Sequence, residues 1–131
     1  MSRLAILLVA LLALSGSAGD KAAAEAVAES AQWQMVVARY YVRERNYAGA
    51  INRLRIVLTK FESSEYVEEA LAVATEAYLA LGIASEASDA AAALECKFPN
   101  GAWTAKAKAL LKSAGLAPAA NPASSFSRFC R

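Results

Sequence analysis

Two pairs of carboxylates lie close along this chain, Glu68 with Glu69 and Glu86 with Asp89. Acid–base catalysis would need one member of such a pair pushed away from its ordinary pKa by burial or a charged neighbour. Both pairs fall on amphipathic helical patterns, where acids are normally solvated charges. Histidine is absent, so the usual general base and metal ligand is missing. Cys96 and Cys130 fall short of the about four ligands that a structural metal site takes. No catalytic residue, metal site or cofactor is assigned, and a non-enzymatic protein is expected. Trp33 and Trp103 fit core and capping positions better than a ligand platform. What remains is binding. Asn52, Arg53 and Arg55 fall off an apolar helical stripe, toward solvent or a partner.

The elements that carry these residues come from a repeat of 37 residues. Tyr41 and Ala50 recur as Tyr78 and Ala87. Leu54 then matches Ala91, Val57 matches Leu94, and Phe61 matches Phe98. A large residue, a small one nine positions on, and apolar ones beyond it are the spacing of a tetratricopeptide (TPR) helix hairpin. The aromatic fills the space between two helices and the alanine lets their backbones approach. An all-α fold of TPR-like antiparallel hairpins is expected, with about two repeats plus a closing helix. Such repeats build binding surfaces.

The first helix is predicted near Gln32 to Arg45, burying Trp33, Val37 and Tyr40 or Tyr41, and broken by Asn46. The second runs near Ala48 to Phe61. Its stripe of Tyr47, Ala50, Ile51, Leu54, Val57, Leu58 and Phe61 is one helical face. Ser63 and Ser64 are candidate caps for the third helix, with Glu65, Glu68 and Glu69 suited to its positive end. That helix buries Val67, Ala70, Leu71, Ala74, Tyr78 and Leu81, and Gly82 stops it. Ser85 to Lys97 makes the fourth helix, packing Ala87, Ala91, Leu94 and Phe98. A fifth, near Trp103 to Ser113, turns Trp103, Ala107, Leu110 and Leu111 to one side.

Outside this block, residues 1–18 read as a secretory signal peptide. Arg3 is followed by an apolar run from Leu4 to Leu14 and then by small residues to Gly19. The run is shorter than the roughly 20 residues of a spanning helix, and an uncleaved anchor is the alternative. Residues 19–31 form an alanine-rich linker or helix, residues 32–114 the TPR-like domain, and residues 115–131 a flexible tail. Export would permit a disulfide between Cys96 and Cys130. The position of Cys96 among alanines and of Cys130 in the tail favours two free thiols.

Charge is sorted along the chain. Residues 39–60 hold six bases and one acid, residues 62–95 eight acids and no base, and residues 97–131 six bases and no acid. Such blocks attract each other when repeats stack, and they pattern the surface for steering a partner. The net charge of +2 gives no reason to expect nucleic-acid binding.

Several stretches resemble the BamD family. They are Val37-Ala38-Arg39-Tyr40-Tyr41, Asn46-Tyr47 with Ala50-Ile51-Asn52-Arg53, and Val67-Glu68-Glu69-Ala70-Leu71. Glu76-Ala77-Tyr78-Leu79-Ala80-Leu81-Gly82 with Glu86-Ala87 continues the likeness. Phe98-Pro99 before Trp103 and Ala109-Leu110-Leu111 closes it. The similarity runs over roughly residues 36 to 112, matching the last two repeats of that family and its closing helix. The family's lipidated cysteine has no counterpart here, where Asp20 and alanines follow the signal.

The resemblance implies a periplasmic scaffold at the inner face of the outer membrane, peripherally associated with it. It implies binding to the POTRA domain of a BamA-like insertase during β-barrel insertion, alongside other assembly subunits. In the family the pair matching Asn52-Arg53 lies where this repeat meets the POTRA domain. An arginine suits that role because its planar fork can grip a carboxylate with two hydrogen bonds. A general cell-envelope adaptor of the Tol-Pal type and a membrane-anchored structural subunit are the competing readings.

Overall fold

The computed structural model describes residues 19–23, 26 and 30–131. Its contacts divide the chain into two units, Met1–Ser30 and Ala31–Arg131. In the first unit the described residues are helical. The expected signal segment, residues 1–18, lies outside the described residues.

The second unit is built from five α-helices and a terminal 3-10 turn, and no strand occurs among the described residues. Helix α1 covers residues 31–43. It is followed by α2 (Tyr47–Lys60), α3 (Val67–Ala80), α4 (Ala84–Lys97) and α5 (Ala102–Ser113), and the 3-10 turn spans Ser127–Cys130. Helices α1 and α2 make one TPR-like hairpin, α3 and α4 the next, and α5 packs on both members of the second.

The hairpin turns use one device. In the first, the Asn46 amide donates to the Tyr41 carbonyl and the Arg45 amide to the Val42 carbonyl. In the second, the Ile83 amide donates to Tyr78 and the Gly82 amide to Leu79. This pairing satisfies the last carbonyls of a helix and needs a left-handed residue at the stop. Gly82 supplies it at φ 76°, and after α5 Gly115 does so at φ 74°. Arg45, one repeat before Gly82, is forced to φ 58° with a side chain attached. Asn46 then caps α2, its Oδ1 accepting from the Gly49 amide at 2.9 Å.

The core follows the repeat register. Ala50 and Ala87 are both fully buried, as are Val57, Leu71 and Leu94. Helix α3 is enclosed on nearly every side, with Ala70 through Thr75 all buried. Small side chains make this possible, because alanines let neighbouring helices approach closely on either flank. Helix α4 buries an unbroken run from Ala87 to Leu94 in the same way.

Several expectations need correction. Trp33 is 61% exposed and Tyr40 51%, while Met35 and Ala38 take the core positions of α1. The helix is therefore rotated relative to the predicted face. Leu81 and Leu110 are also exposed, Leu81 where the chain turns at Gly82 and Leu110 on α5, which meets no further helix among the described residues. Neither serine caps α3. Tyr66 is its N-cap and makes no side-chain cap bond, while the Ser64 hydroxyl accepts only a long 3.4 Å contact from the Tyr66 amide.

The largest correction concerns residues 115–131, expected to be loose. They fold back and bury Phe126 and Phe129 against the helices. Cys96 and Cys130 are joined in a disulfide, with Cα atoms 5.0 Å apart, rather than standing as two free thiols. Proximity was unreadable in advance, because the two cysteines are 34 residues apart in sequence.

Candidate interaction surface

Glu68, Glu69 and Asp89 hold structure together. Glu69 grips Arg39 with two hydrogen bonds of 2.6 Å, linking α3 to α1. This raises the Arg39 pKa above its usual value, chiefly through the hydrogen bond to Glu69, so the arginine stays charged. Glu68 Oε1 accepts from the Trp103 amide at 3.1 Å and caps the start of α5. Gly101 makes room for that carboxylate, since a Cβ placed there would stand 1.8 Å from Glu68 Oε1. Asp89 is buried and accepts from the Asn121 amide at 2.9 Å. On the other flank Lys108 of α5 pairs with Glu95 of α4 at 2.6 Å. The basic, acidic and basic blocks thus meet at the joints between elements, as the charge sorting anticipated.

The residues expected to bind a partner lie on α2. Its buried stripe is Ala50, Ile51, Leu54, Val57 and Leu58. Asn52 and Arg55 are exposed and Arg53 is half-buried. The structure does not gather the three into one cluster. Residues two apart on a helix diverge by roughly 200°. Arg53 sits at the seam with α1, its Nη1 donating to Gln34 Oε1 at 3.3 Å. Arg55 instead borders a cavity of about 90 Å³ between α2, α3 and the C-terminal segment, which Arg128 also lines.

Helix α1 also carries an exposed stripe that includes Trp33 and Tyr40, two residues expected in its core. Trp33, Val36 and Tyr40 are exposed large side chains at helical spacing on α1. The sequence signal was present, since the three-then-four spacing already defines a face. A competing face of two alanines and one methionine, Ala31, Met35 and Ala38, gave no sign that it was the buried one. Exposed aromatics at helical spacing are a typical composition for an interface centre.

The chain matches the family model described as YfiO, outer membrane lipoprotein, over residues 23–94. Among curated relatives, the outer membrane protein assembly factor BamD of Caulobacter vibrioides is 34% identical over 89 residues, covering 68% of this chain and 29% of the relative. The Rickettsia prowazekii protein of the same name is 31% identical over 80 residues, covering 61% of this chain and 32% of the relative. That of Neisseria meningitidis serogroup A is 39% identical over 67 residues, covering 51% and 25%. The chain therefore spans about a third or less of these relatives' length. No solved structure gives a significant match. A family match across more than half of the residues, on helices paired as a TPR array requires, shows that this chain belongs to the YfiO outer membrane lipoprotein (BamD) family.

Proposed function

We propose that the chain is a non-enzymatic scaffold in outer-membrane protein assembly, acting in the periplasm at the inner face of the outer membrane. Family membership is the observation that carries this reading, supported by relatives named as assembly factors. The proposed partner is the POTRA domain of a BamA-like insertase, with Asn52, Arg53 and Arg55 supplying the contacts. The position of Arg53 favours it. The side chain lies off the buried stripe, and its one hydrogen bond among the described residues is a 3.3 Å contact to Gln34, which a partner carboxylate could displace. Within the proposed surface, Trp33 and Tyr40 add exposed apolar area on α1, the helix that Arg53 bonds through Gln34.

The test is affinity capture from cell envelopes. Arg53→Glu is expected to lose the insertase while keeping the helical circular-dichroism signal and the melting temperature. Equal recovery of the insertase by wild type and Arg53→Glu would sink the proposed contact.

A further inference from the structure

Residues 119–131 lie outside the family match and are held on the domain by aromatic, cation–π and hydrogen-bond contacts. The segment has one 3-10 turn and no longer helix, so little of its order is its own. Phe126 meets Tyr78 edge-on, with ring centroids 6.3 Å apart. Lys97 and Arg128 lie 5.3 and 5.0 Å from the ring of Phe129. Arg128 Nη2 donates to the Leu58 carbonyl at 2.5 Å. These are the contacts of a peptide seated in a groove, made in cis, with Leu58 of α2 and Tyr78 of α3 beneath Phe126.

The seating is imperfect. A cleft of about 90 Å³ remains beside Phe126, lined by Leu54, Leu58, Ala74 and Tyr78 and by the exposed Arg55, Thr59 and Arg128. Asp89 Oδ2 is buried beneath the segment with no hydrogen-bond partner among the described residues, a cost relieved when water returns. Ordering a chain of this length opposes these contacts, the burial of Phe126 and Phe129, and the hydrogen bonds of the Ala119 and Asn121 amides to Ser88 and Asp89. The Cys96–Cys130 disulfide closes the balance, and both of its cysteines are exposed to an incoming thiol.

We propose that residues 119–131 are a disulfide-latched strap over a docking groove. Reduction of Cys96–Cys130 frees that groove for a partner segment carrying two phenylalanines three residues apart with a base between them. The strap's own Phe126-Ser127-Arg128-Phe129 is the template for the occupant. The reductant is a protein or small-molecule dithiol. One of its thiolates attacks a disulfide sulfur and forms a mixed disulfide, and its second thiol resolves it. The strap leaves as two cysteine thiols, and two electrons and two protons pass from the dithiol, which ends as a disulfide. This inference does not depend on the proposed insertase contact.

The test compares the full chain oxidised, the full chain treated with dithiothreitol, and Cys96→Ser/Cys130→Ser. Amide hydrogen exchange at residues 126–130 is expected to speed up at least tenfold in the last two, with α3 and α4 amides unchanged. A labelled synthetic peptide of residues 119–129 is expected to bind those two forms at least tenfold more tightly than the oxidised chain. Oxidised Phe126→Ala/Phe129→Ala, with the latch intact but its seat empty, should also take up the peptide. Unchanged exchange at residues 126–130 on reduction would overturn the latch. Equal peptide binding to oxidised and reduced chains would overturn the covered groove, as would loss of α3 and α4 protection on reduction. Dimerisation on reduction without peptide binding would overturn the partner reading and assign the groove to a second copy.

Discussion

Helix α1 leaves Trp33, Val36 and Tyr40 in solvent, whereas the matching positions of α3, one repeat of 37 residues later, are Ala70, Val73 and Ala77, all buried. The two helices share a register and differ in what lies beside them. Helix α3 has α2 and α4 on its flanks and α5 beyond. A helix enclosed on all sides cannot carry bulky residues where backbones approach, so two of the three positions have shrunk to alanine. The exposed edge of α1 has no such limit among the described residues, and large side chains survive there. Residue size at equivalent repeat positions therefore reports enclosure, and the exposed set marks where binding can occur.

The sharpest way to break this comparison is to remove mass from the enclosed helix. Leu71→Ala should cost about 2–5 kcal/mol, the usual range for a buried leucine, read by chemical denaturation. A cost below about 0.5 kcal/mol, the level of an ordinary surface change, would mean that α3 is not the centre of the core. Adding mass at the hairpin contact comes next. Ala87→Leu should overpack the second hairpin by about 1–3 kcal/mol, and an unchanged melting temperature would count against the register.

The turns offer a change of opposite sign. Arg45 adopts the left-handed conformation that Gly82 adopts one repeat later. Arg45→Gly should relieve that strain and stabilise the protein by about 1 kcal/mol, seen as a higher denaturation midpoint. The smallest effect belongs to the exposed stripe. Trp33→Ala should change stability by no more than about 0.5 kcal/mol. A loss of several times that would show that Trp33 is structural and remove it from the candidate surface.

Local chemistry was legible in the sequence. Asn46 and Gly82 end or cap helices because the backbone there needs a side-chain acceptor or a left-handed residue, and both needs are met within a few residues. The stripe of α2 was readable for the same reason, since helical periodicity is set by nearest turns and Ala50, Leu54 and Val57 fall on one side wherever the helix goes. The spacing of Ala50 and Ala87 also carried the pairing of helices, as hairpin neighbours are adjacent in sequence. Of the candidate site, the placement of Asn52, Arg53 and Arg55 off that stripe was legible, but their separation around the helix toward different neighbours was not.

Tertiary structure alone decided the rest, because the partners are distant along the chain. Glu69 finds Arg39 across 30 residues, and Glu68 finds the Trp103 amide across 35. Which face of α1 is buried depended on α3 arriving beside Met35 and Ala38 rather than beside Trp33. The C-terminal segment shows the limit most clearly. Its Ala-, Pro- and Ser-rich composition signals disorder on local grounds, since such residues cannot build a core of their own. A groove formed by other helices supplies the burial that Phe126 and Phe129 lack locally, and a bond from Cys130 to Cys96 holds them there.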